Sequence, residues 1–231
     1  MSRPDWLADV VAGAAHIKAT DLTAFGVPEG SAPRRSAVLM LFGESERGPD
    51  ILLTERAHTM RSHPGQVSFP GGSLDPGETP IEAALREADE EAGIPPQSVD
   101  VLGTLPELYL PPSHFAVTPV LGWWDDPREV EPASAEEVHA VYRVPISELA
   151  DPAHRITVVS PRHGWKTPGF LIGPDKDVIL WGFTGGVVAR FLDFLGWIDD
   201  MPDAPEVDLP PYMLAGRERA QDRDVQEWSH E

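Results

Sequence analysis

The chain has 231 residues, 41% of them hydrophobic, which suits one domain of ordinary size with extensions and excludes a disordered chain. It carries 38 acidic against 18 basic residues, and the resulting net charge of −20 disfavours nucleic acid and anionic membranes as partners. Because cysteine is absent, disulfides, thiolate catalysis and cysteine zinc sites are excluded. An anionic substrate must therefore be held by a local basic cluster or by metal ions.

Three segments are predicted along the chain: an N-terminal helix and loop (residues 1–34), a main domain (35–198) and an acidic, Pro-rich C-terminal extension (199–231). Apolar residues at helical spacing predict a helix over residues 5–16. Short apolar runs predict strands at residues 36–42, 51–54, 101–105, 117–123, 138–144, 156–159 and 178–181. A second helix is expected over residues 184–197. This alternation favours an α/β/α sandwich around a mixed sheet.

The remaining segments are predicted to be irregular. Residues 61–78 are rich in Gly and Pro and are expected to form a loop. The extension from residue 199 is expected to be mobile, with residues 209–214 able to dock on a partner subunit. The longest apolar run, residues 178–189, is too short to cross a membrane, and Asp5 and Asp9 argue against a secretory signal. We therefore expect a cytoplasmic protein.

One helix is marked at both ends. Thr79 is a good N-cap, Pro80 suits the first helical position, and Glu82 completes a capping box three residues after Thr79. Gly93 can adopt the left-handed conformation that ends a helix, and two prolines follow shortly after it. Its buried stripe is predicted to comprise Ile81, Ala84, Leu85, Ala88 and Ala92.

Three carboxylates are predicted to share one face of this helix beside the buried stripe: Glu87, Glu90 and Glu91. The ordinary interpretation of such a face is a solvated acidic surface, since like charges at this spacing repel. Grouped carboxylate oxygens are also hard ligands suited to Mg²⁺ together with substrate phosphates. Arg86 can pair with Glu90 one turn later, and the adjacent Gly71 and Gly72 would let backbone amides approach a phosphate.

The spacing of these residues resembles the Nudix box. Gly72 is followed by five residues, Glu78, seven residues and then residues 86–94, where only Ala88 is smaller than usual. The resemblance implies that Glu87, Glu90 and Glu91 bind Mg²⁺ or Mn²⁺. It further implies that Arg86 orients these ligands, that Gly72 lies at the phosphate and that Glu78 supports the loop.

An upstream motif in residues 52–72 resembles the coenzyme A pyrophosphatase branch of the Nudix family. The matching positions are Leu52, Leu53, Thr54, Arg56, Ala57, Arg61, Gly65, Phe69, Pro70, Gly71 and Gly72. The resemblance implies that water attacks the pyrophosphate of coenzyme A or an acyl derivative. The products would be 4′-phosphopantetheine and adenosine 3′,5′-bisphosphate.

Basic side chains in this motif could bind the phosphates. Arg56, Arg61, His58 and His63 form a basic island in an acidic chain, and arginine suits bidentate phosphate contact. The alternative is that they are exposed surface charges. Phe69 is expected in the core rather than beneath the adenine.

The group that deprotonates the water is predicted outside the box. Glu137 is the candidate and the adjacent Glu136 is its rival, although both could be plain turn residues; hydroxide on a bound metal ion is a further alternative. His114 and Phe115 are candidate substrate contacts.

Two other functions stay open. The box is equally compatible with ADP-ribose, NADH or a dinucleoside polyphosphate as substrate. A Nudix domain could also bind a nucleotide as a sensor without cutting it. The resemblance to the family further suggests a homodimer.

Overall fold

The computed structural model describes residues 3–60, 62–125, 128–159, 166–199, 201, 203–210 and 213. The helices are α1 (Trp6–His16), α2 (Ala19–Leu22), α3 (Pro80–Ala92), α4 (Ile146–Ala150) and α5 (Gly182–Phe194). The strands of the larger sheet are β1 (Arg34–Ser45), β2 (Gly48–Arg56), β3 (Val67–Ser68), β4 (Gly71–Ser73), β5 (Val99–Thr104), β6 (Leu108–Leu110), β7 (Phe115–Trp124) and β8 (Val138–Pro145). The smaller sheet contains β9 (Arg155–Val159), β10 (Lys166–Ile172), β11 (Val178–Leu180) and β12 (Glu206–Asp208).

The larger sheet is mixed, as predicted. β1 runs parallel to β7 and antiparallel to β2 and β4, and β8 pairs antiparallel with the other side of β2. In the smaller sheet, β9, β10 and β11 are antiparallel neighbours. No helix within the described residues is long and apolar enough to span a membrane.

The larger sheet lies between two helical layers. Successive side chains of a strand point to opposite faces. In β1, Ala37, Leu39 and Leu41 therefore pack with the alanines of α3, whereas Met40 and Phe42 pack with residues of α1 and α5. This arrangement confirms the predicted α/β/α sandwich.

Helix α3 begins and ends as predicted. The Thr79 hydroxyl accepts a hydrogen bond from the Glu82 amide, and the Glu82 carboxylate accepts one from the Thr79 amide at 2.8 Å. Gly93 ends the helix with a φ of +63°. Because both ends are held, the face that α3 turns to the sheet is well defined.

The predicted buried stripe of α3 needs correction. Ile81 is exposed, whereas Ala83 and Glu91 are buried together with Ala84. Alanines let the helix lie close against the sheet, so the covered face is centred on small side chains and leaves the larger Ile81 at its edge. As a result, one carboxylate of the acidic face is enclosed.

The predicted loop over residues 61–78 contains two short strands, β3 and β4. A side chain on Gly71 would place its Cβ 2.4 Å from the Ala37 carbonyl oxygen, so this strand pairs closely with β1 only because glycine stands there. Glycine and proline are ordinarily depleted in strands, which is why composition predicted a loop.

The described part of the extension beyond residue 199 contains a strand and buried apolar residues, and its predicted mobility stays a prediction. β12 pairs in parallel with β9. Leu209 and Met213 are buried and pack with Ile156, Val158 and Trp181 of the same chain. Their apolar side chains thus cover the chain's own smaller sheet.

Candidate active site

The three carboxylates of the acidic face of α3 differ in burial. The Glu91 residue is 5% exposed, the Glu87 side chain 17% and the Glu90 side chain 60%. The face therefore runs from an enclosed carboxylate to one in contact with solvent. This difference in burial lets a ligand that arrives from solvent reach carboxylate oxygens that the protein holds in place.

Glu91 forms the enclosed end of the site. Its carboxylate accepts hydrogen bonds from the Gly71 amide and, at 3.4 Å, from the Thr54 hydroxyl. Burial, followed by the charge of Glu87, raises the pKa of Glu91 to about 7, whereas the nearby charge of Arg56 lowers it. A further positive charge beside this carboxylate would relieve its unfavourable ionisation.

Glu87 lies directly against the backbone of β4. A Cβ on Gly72 would come within 2.2 Å of Glu87 Oε1, so glycine is required at this contact. Burial raises the pKa of Glu87, and the hydrogen bond from Arg86 opposes that rise. Gly72 thus leaves room for the Glu87 carboxylate, and its predicted place at the phosphate stays a prediction.

Arg86 connects the carboxylates to the preceding loop. Its Nε donates to Glu78 Oε1 at 2.9 Å, and its Nη1 donates to Glu87 Oε1 at 2.9 Å and to Glu90 Oε2 at 3.2 Å. Its Nη2 also donates to the Ser73 carbonyl at 3.2 Å. The bond to Glu78 is the main reason why the pKa of Arg86 lies above its usual range. The predicted Arg86–Glu90 pair is therefore present, within a larger network.

Two predicted residues outside α3 also reach this region. Arg56 lies close enough to Glu91 for its charge to act on that carboxyl, and its Nε is a buried donor without a hydrogen-bond partner in the described part of the chain. Glu137 raises the pKa of both Glu87 and Glu91 through its negative charge.

The described members of the predicted basic island lie in different surroundings. His58 Nε2 lies 2.7 Å from Glu55 Oε1, so this imidazole faces a carboxylate. His63 has a φ of +55° in the turn that follows. Arg61 lies outside the described residues. Among the described members of the island, Arg56 lies close enough to Glu91 for its charge to act on that carboxyl.

The predicted contacts from the region after β6 have partners of their own. The His114 ring nitrogen Nδ1 and the Tyr109 hydroxyl are 2.9 Å apart, and the Arg34 guanidinium stacks 4.1 Å from the centre of the Phe115 ring. Phe69 is buried, as expected of a core residue.

Sequence reasoning assigned no role to Thr54 or Ser73, which hydrogen-bond to Glu91 and Arg86. Thr54 and Arg56 are two residues apart in β2, and strand alternation places them on one face. That spacing was the available signal for Thr54. The Ser73 carbonyl belongs to the backbone, which no side-chain pattern reveals.

Comparison with known proteins supports the family. The NUDIX domain model matches residues 32–162. The "uncharacterized Nudix hydrolase NudL" of Enterobacter sp. (strain 638) is 40% identical over 156 residues, which are 67% of this chain and 79% of that protein. Nudix hydrolase 3 of Caenorhabditis elegans is 42% identical over 122 residues, 52% of this chain, and the match spans about half (51%) of its length.

A solved structure agrees in fold. The Nudix hydrolase RenU of M. smegmatis is 22% identical and superposes with a TM-score of 0.50 over 75% of this chain and 94% of that chain. At this identity the likeness concerns the fold alone. The family match and the sequence relatives show that the chain belongs to the Nudix family of pyrophosphate hydrolases.

Proposed function

We propose that the protein hydrolyses the pyrophosphate bond of coenzyme A or an acyl-coenzyme A. The products are 4′-phosphopantetheine and adenosine 3′,5′-bisphosphate. The observation that supports this reaction class is the position of Glu87, Glu90 and Glu91 on one face of α3, where Arg86 hydrogen-bonds to the carboxylates of Glu87 and Glu90.

The donor set fits Mg²⁺ or Mn²⁺. All three side chains offer hard oxygen ligands, and the pKa values of Glu87 and Glu91 are raised by burial, so these carboxyls favour a nearby cation. When bound by Glu87, Glu90 and Glu91, the metal ions would neutralise the charge on the pyrophosphate as the bond breaks.

In this proposal, the chain's own residues orient the carboxylates that bind the metal ions. Arg86 fixes the carboxylates of Glu87 and Glu90, and the Gly71 amide and Thr54 hydroxyl fix that of Glu91. Glu137 is exposed beside this group and accepts a proton from the attacking water.

Coenzyme A is preferred over ADP-ribose, NADH and dinucleoside polyphosphates because of the upstream motif. Within that motif, Arg56 stands at the end of β2 with a buried, unpartnered Nε in the described structure. Such a donor suits a phosphate oxygen, and coenzyme A carries a 3′-phosphate besides its pyrophosphate. Arg61 supplies a second guanidinium in this proposal.

The test is mass spectrometry of products after incubation with Mg²⁺ and each of these compounds. We expect 4′-phosphopantetheine and adenosine 3′,5′-bisphosphate from coenzyme A, with no products in EDTA. Strong cleavage of ADP-ribose beside intact coenzyme A would overturn the substrate assignment. Binding of coenzyme A without turnover of any compound would instead favour a sensor.

A further inference from the structure

A second group of metal-ligand side chains lies outside the acidic face of α3. Glu55, His58 and His139 each place one ligand atom within 4.8 Å of the others. Glu55 stands between Thr54 and Arg56 in β2, so strand alternation turns it to the other face of the sheet. Tyr142, which hydrogen-bonds to Glu55, packs against the hydrophobic cluster that contains residues of α1 and α5. Thr54, in contrast, contacts Glu91 on the α3 side of the sheet.

Glu55 is held as a rigid ligand. It is 4% exposed, and its Oε2 accepts a hydrogen bond from the Tyr142 hydroxyl at 2.6 Å. Its other oxygen, Oε1, lies 2.7 Å from His58 Nε2. A hydrogen bond to the outer oxygen of a carboxylate is a common way to orient a metal ligand. The inner oxygen of Glu55 is thus directed at the two imidazoles.

A bulge in β8 presents His139. Glu55 pairs with Ala140 and Arg56 pairs with Val138, so His139 is the extra residue between two ladder positions. Bulges commonly redirect a side chain next to a functional site. The His139 ring lies 4.7 Å from the His58 ring, centre to centre, and both side chains are exposed. Solvent therefore has access to the cluster.

We propose that Glu55, His58 and His139 bind one divalent transition-metal ion such as Zn²⁺. Two imidazoles and a carboxylate form a ligand set suited to Zn²⁺, with water filling the remaining position. Mg²⁺ disfavours such nitrogen donors, which separates this site chemically from the all-carboxylate group on α3.

The bound geometry needs only small movements. Ligands about 2.0–2.1 Å from a tetrahedral Zn²⁺ lie about 3.3 Å apart, so the Glu55–His58 pair opens by roughly half an ångström. As His58 Nε2 becomes a ligand, the proton on this nitrogen is released to solvent. The exposed His139 ring moves inward by side-chain rotation.

An ion at this site would join two segments that border the active site. His58 lies in the loop after β2, directly beyond Arg56, and His139 follows Glu137 at the start of β8. These segments already meet where the Ala57 amide donates to the Glu137 carbonyl at 2.8 Å. The metal site therefore acts as a clamp on the loop that carries the proposed phosphate-binding residues.

The test is calorimetric titration of Zn²⁺ into the full chain in excess Mg²⁺, which occupies oxygen-only sites. We expect one Zn²⁺ per chain, and a rise in melting temperature of about 5–10 °C at a hundredfold excess over the dissociation constant. Co²⁺ in place of Zn²⁺ should give the intense visible absorption of a tetrahedral imidazole site.

Matched variants identify the ligands. His58→Gln and His139→Gln should each weaken Zn²⁺ binding more than tenfold, and Tyr142→Phe should weaken it about tenfold by releasing Glu55. His16→Gln, which alters an exposed histidine at the end of α1, should leave binding unchanged. His139 is exposed, so its variant should fold with the melting temperature of the metal-free parent.

Three results would overturn the proposal. The first is the absence of Zn²⁺ binding in excess Mg²⁺. The second is Zn²⁺ binding that survives both His58→Gln and His139→Gln. The third is Zn²⁺ binding that is lost in Glu90→Gln, since the ion would then lie in the carboxylate group on α3. None of these results bears on whether the protein cleaves coenzyme A.

Discussion

Two groups of ligand side chains flank β2, and they differ in both donor chemistry and support. The group on α3 contains only carboxylates, whereas the group of Glu55, His58 and His139 combines one carboxylate with two imidazoles. The first suits Mg²⁺ and the second a transition metal. The comparison shows how one strand can serve two chemistries, because its successive side chains face opposite layers.

The two groups also differ in how firmly they are held. α3 is capped at both ends, and Arg86 connects its carboxylates to Glu78 and Ser73. The second group has its one buried member, Glu55, in a strand, but takes His58 from a loop and His139 from a bulge. We therefore expect His58 and His139 to adjust their positions when the second group binds its ion.

Among the proposed variants, Glu90→Gln should distinguish the two ligand groups most clearly. Loss of this ligand charge should lower kcat by roughly 10²–10⁴-fold, the range typical of groups that act in the transition state. The fold should be retained because the Glu90 side chain is 60% exposed, and Zn²⁺ binding in excess Mg²⁺ should persist. Steady-state kinetics measures kcat, and calorimetry measures Zn²⁺ binding. The control variant Asp89→Asn, which alters an exposed neighbour on α3, should change neither quantity. A near-normal rate would contradict the ligand assignment.

Glu137→Gln tests the residue that borders both groups. Removal of the proposed base should lower kcat about 10²-fold with little change in KM. The matched control is Glu136→Gln, which alters the adjacent exposed carboxylate and should change the rate less than about twofold, within the range of neutral surface substitutions. Equal losses in the two variants would show that neither carboxylate is specifically the base.

Glu91→Gln tests whether the α3 group is destabilised without its cation. The folded chain raises the pKa of Glu91 from 4.5 to about 7, so its stabilising contribution is present below pH 4.5 and is lost as the pH rises through about 7. Glutamine mimics the protonated form. At about pH 8 in EDTA, this variant should therefore be more stable by on the order of 2–3 kcal/mol.

Urea unfolding across this pH range measures the Glu91 effect. The advantage of Glu91→Gln should shrink as the pH falls toward 4.5, and excess Mg²⁺ should reverse it by stabilising the parent. Asp89→Asn should show no such pH dependence. A variant less stable than the parent at high pH in EDTA would refute the account of Glu91.

The smallest effect is expected from Arg56→Lys. Lysine keeps the charge beside Glu91 but lacks the planar fork that binds a phosphate through two donors. We expect KM for coenzyme A to rise about tenfold with a smaller change in kcat. Arg190→Lys, an exposed arginine on α5, serves as the control. An unchanged KM would mean that Arg56 only offsets the charge of Glu91.

Local sequence signals predicted the ends of α3 and the shared face of its carboxylates. Thr79, Glu82 and Gly93 determined the ends of α3, because capping depends on neighbours within one turn. The spacing of Glu87, Glu90 and Glu91 placed them on one face for the same reason. The mixed sheet followed from the alternation of strands and helices.

Features that depend on distant neighbours could not be predicted in this way. Glu91 is buried because the glycines of β4 let that strand lie against β1 and α3, which helical periodicity alone does not reveal. His58 was grouped with basic residues, whereas the fold pairs it with Glu55 and brings His139 to it from β8. The phosphate-binding role of Arg61 stays a prediction, since this residue lies outside the described structure.

The C-terminal strand β12 has a consequence for handling the protein. It occupies the outer edge of β9, while Leu209 and Met213 cover the apolar surface around Trp181. An unpaired edge with bare apolar neighbours is a template for pairing between molecules. Truncation before residue 199 would expose the outer edge of β9 together with the apolar surface around Trp181. Shortened versions of this chain should therefore aggregate, even though every residue of the α3 group is retained.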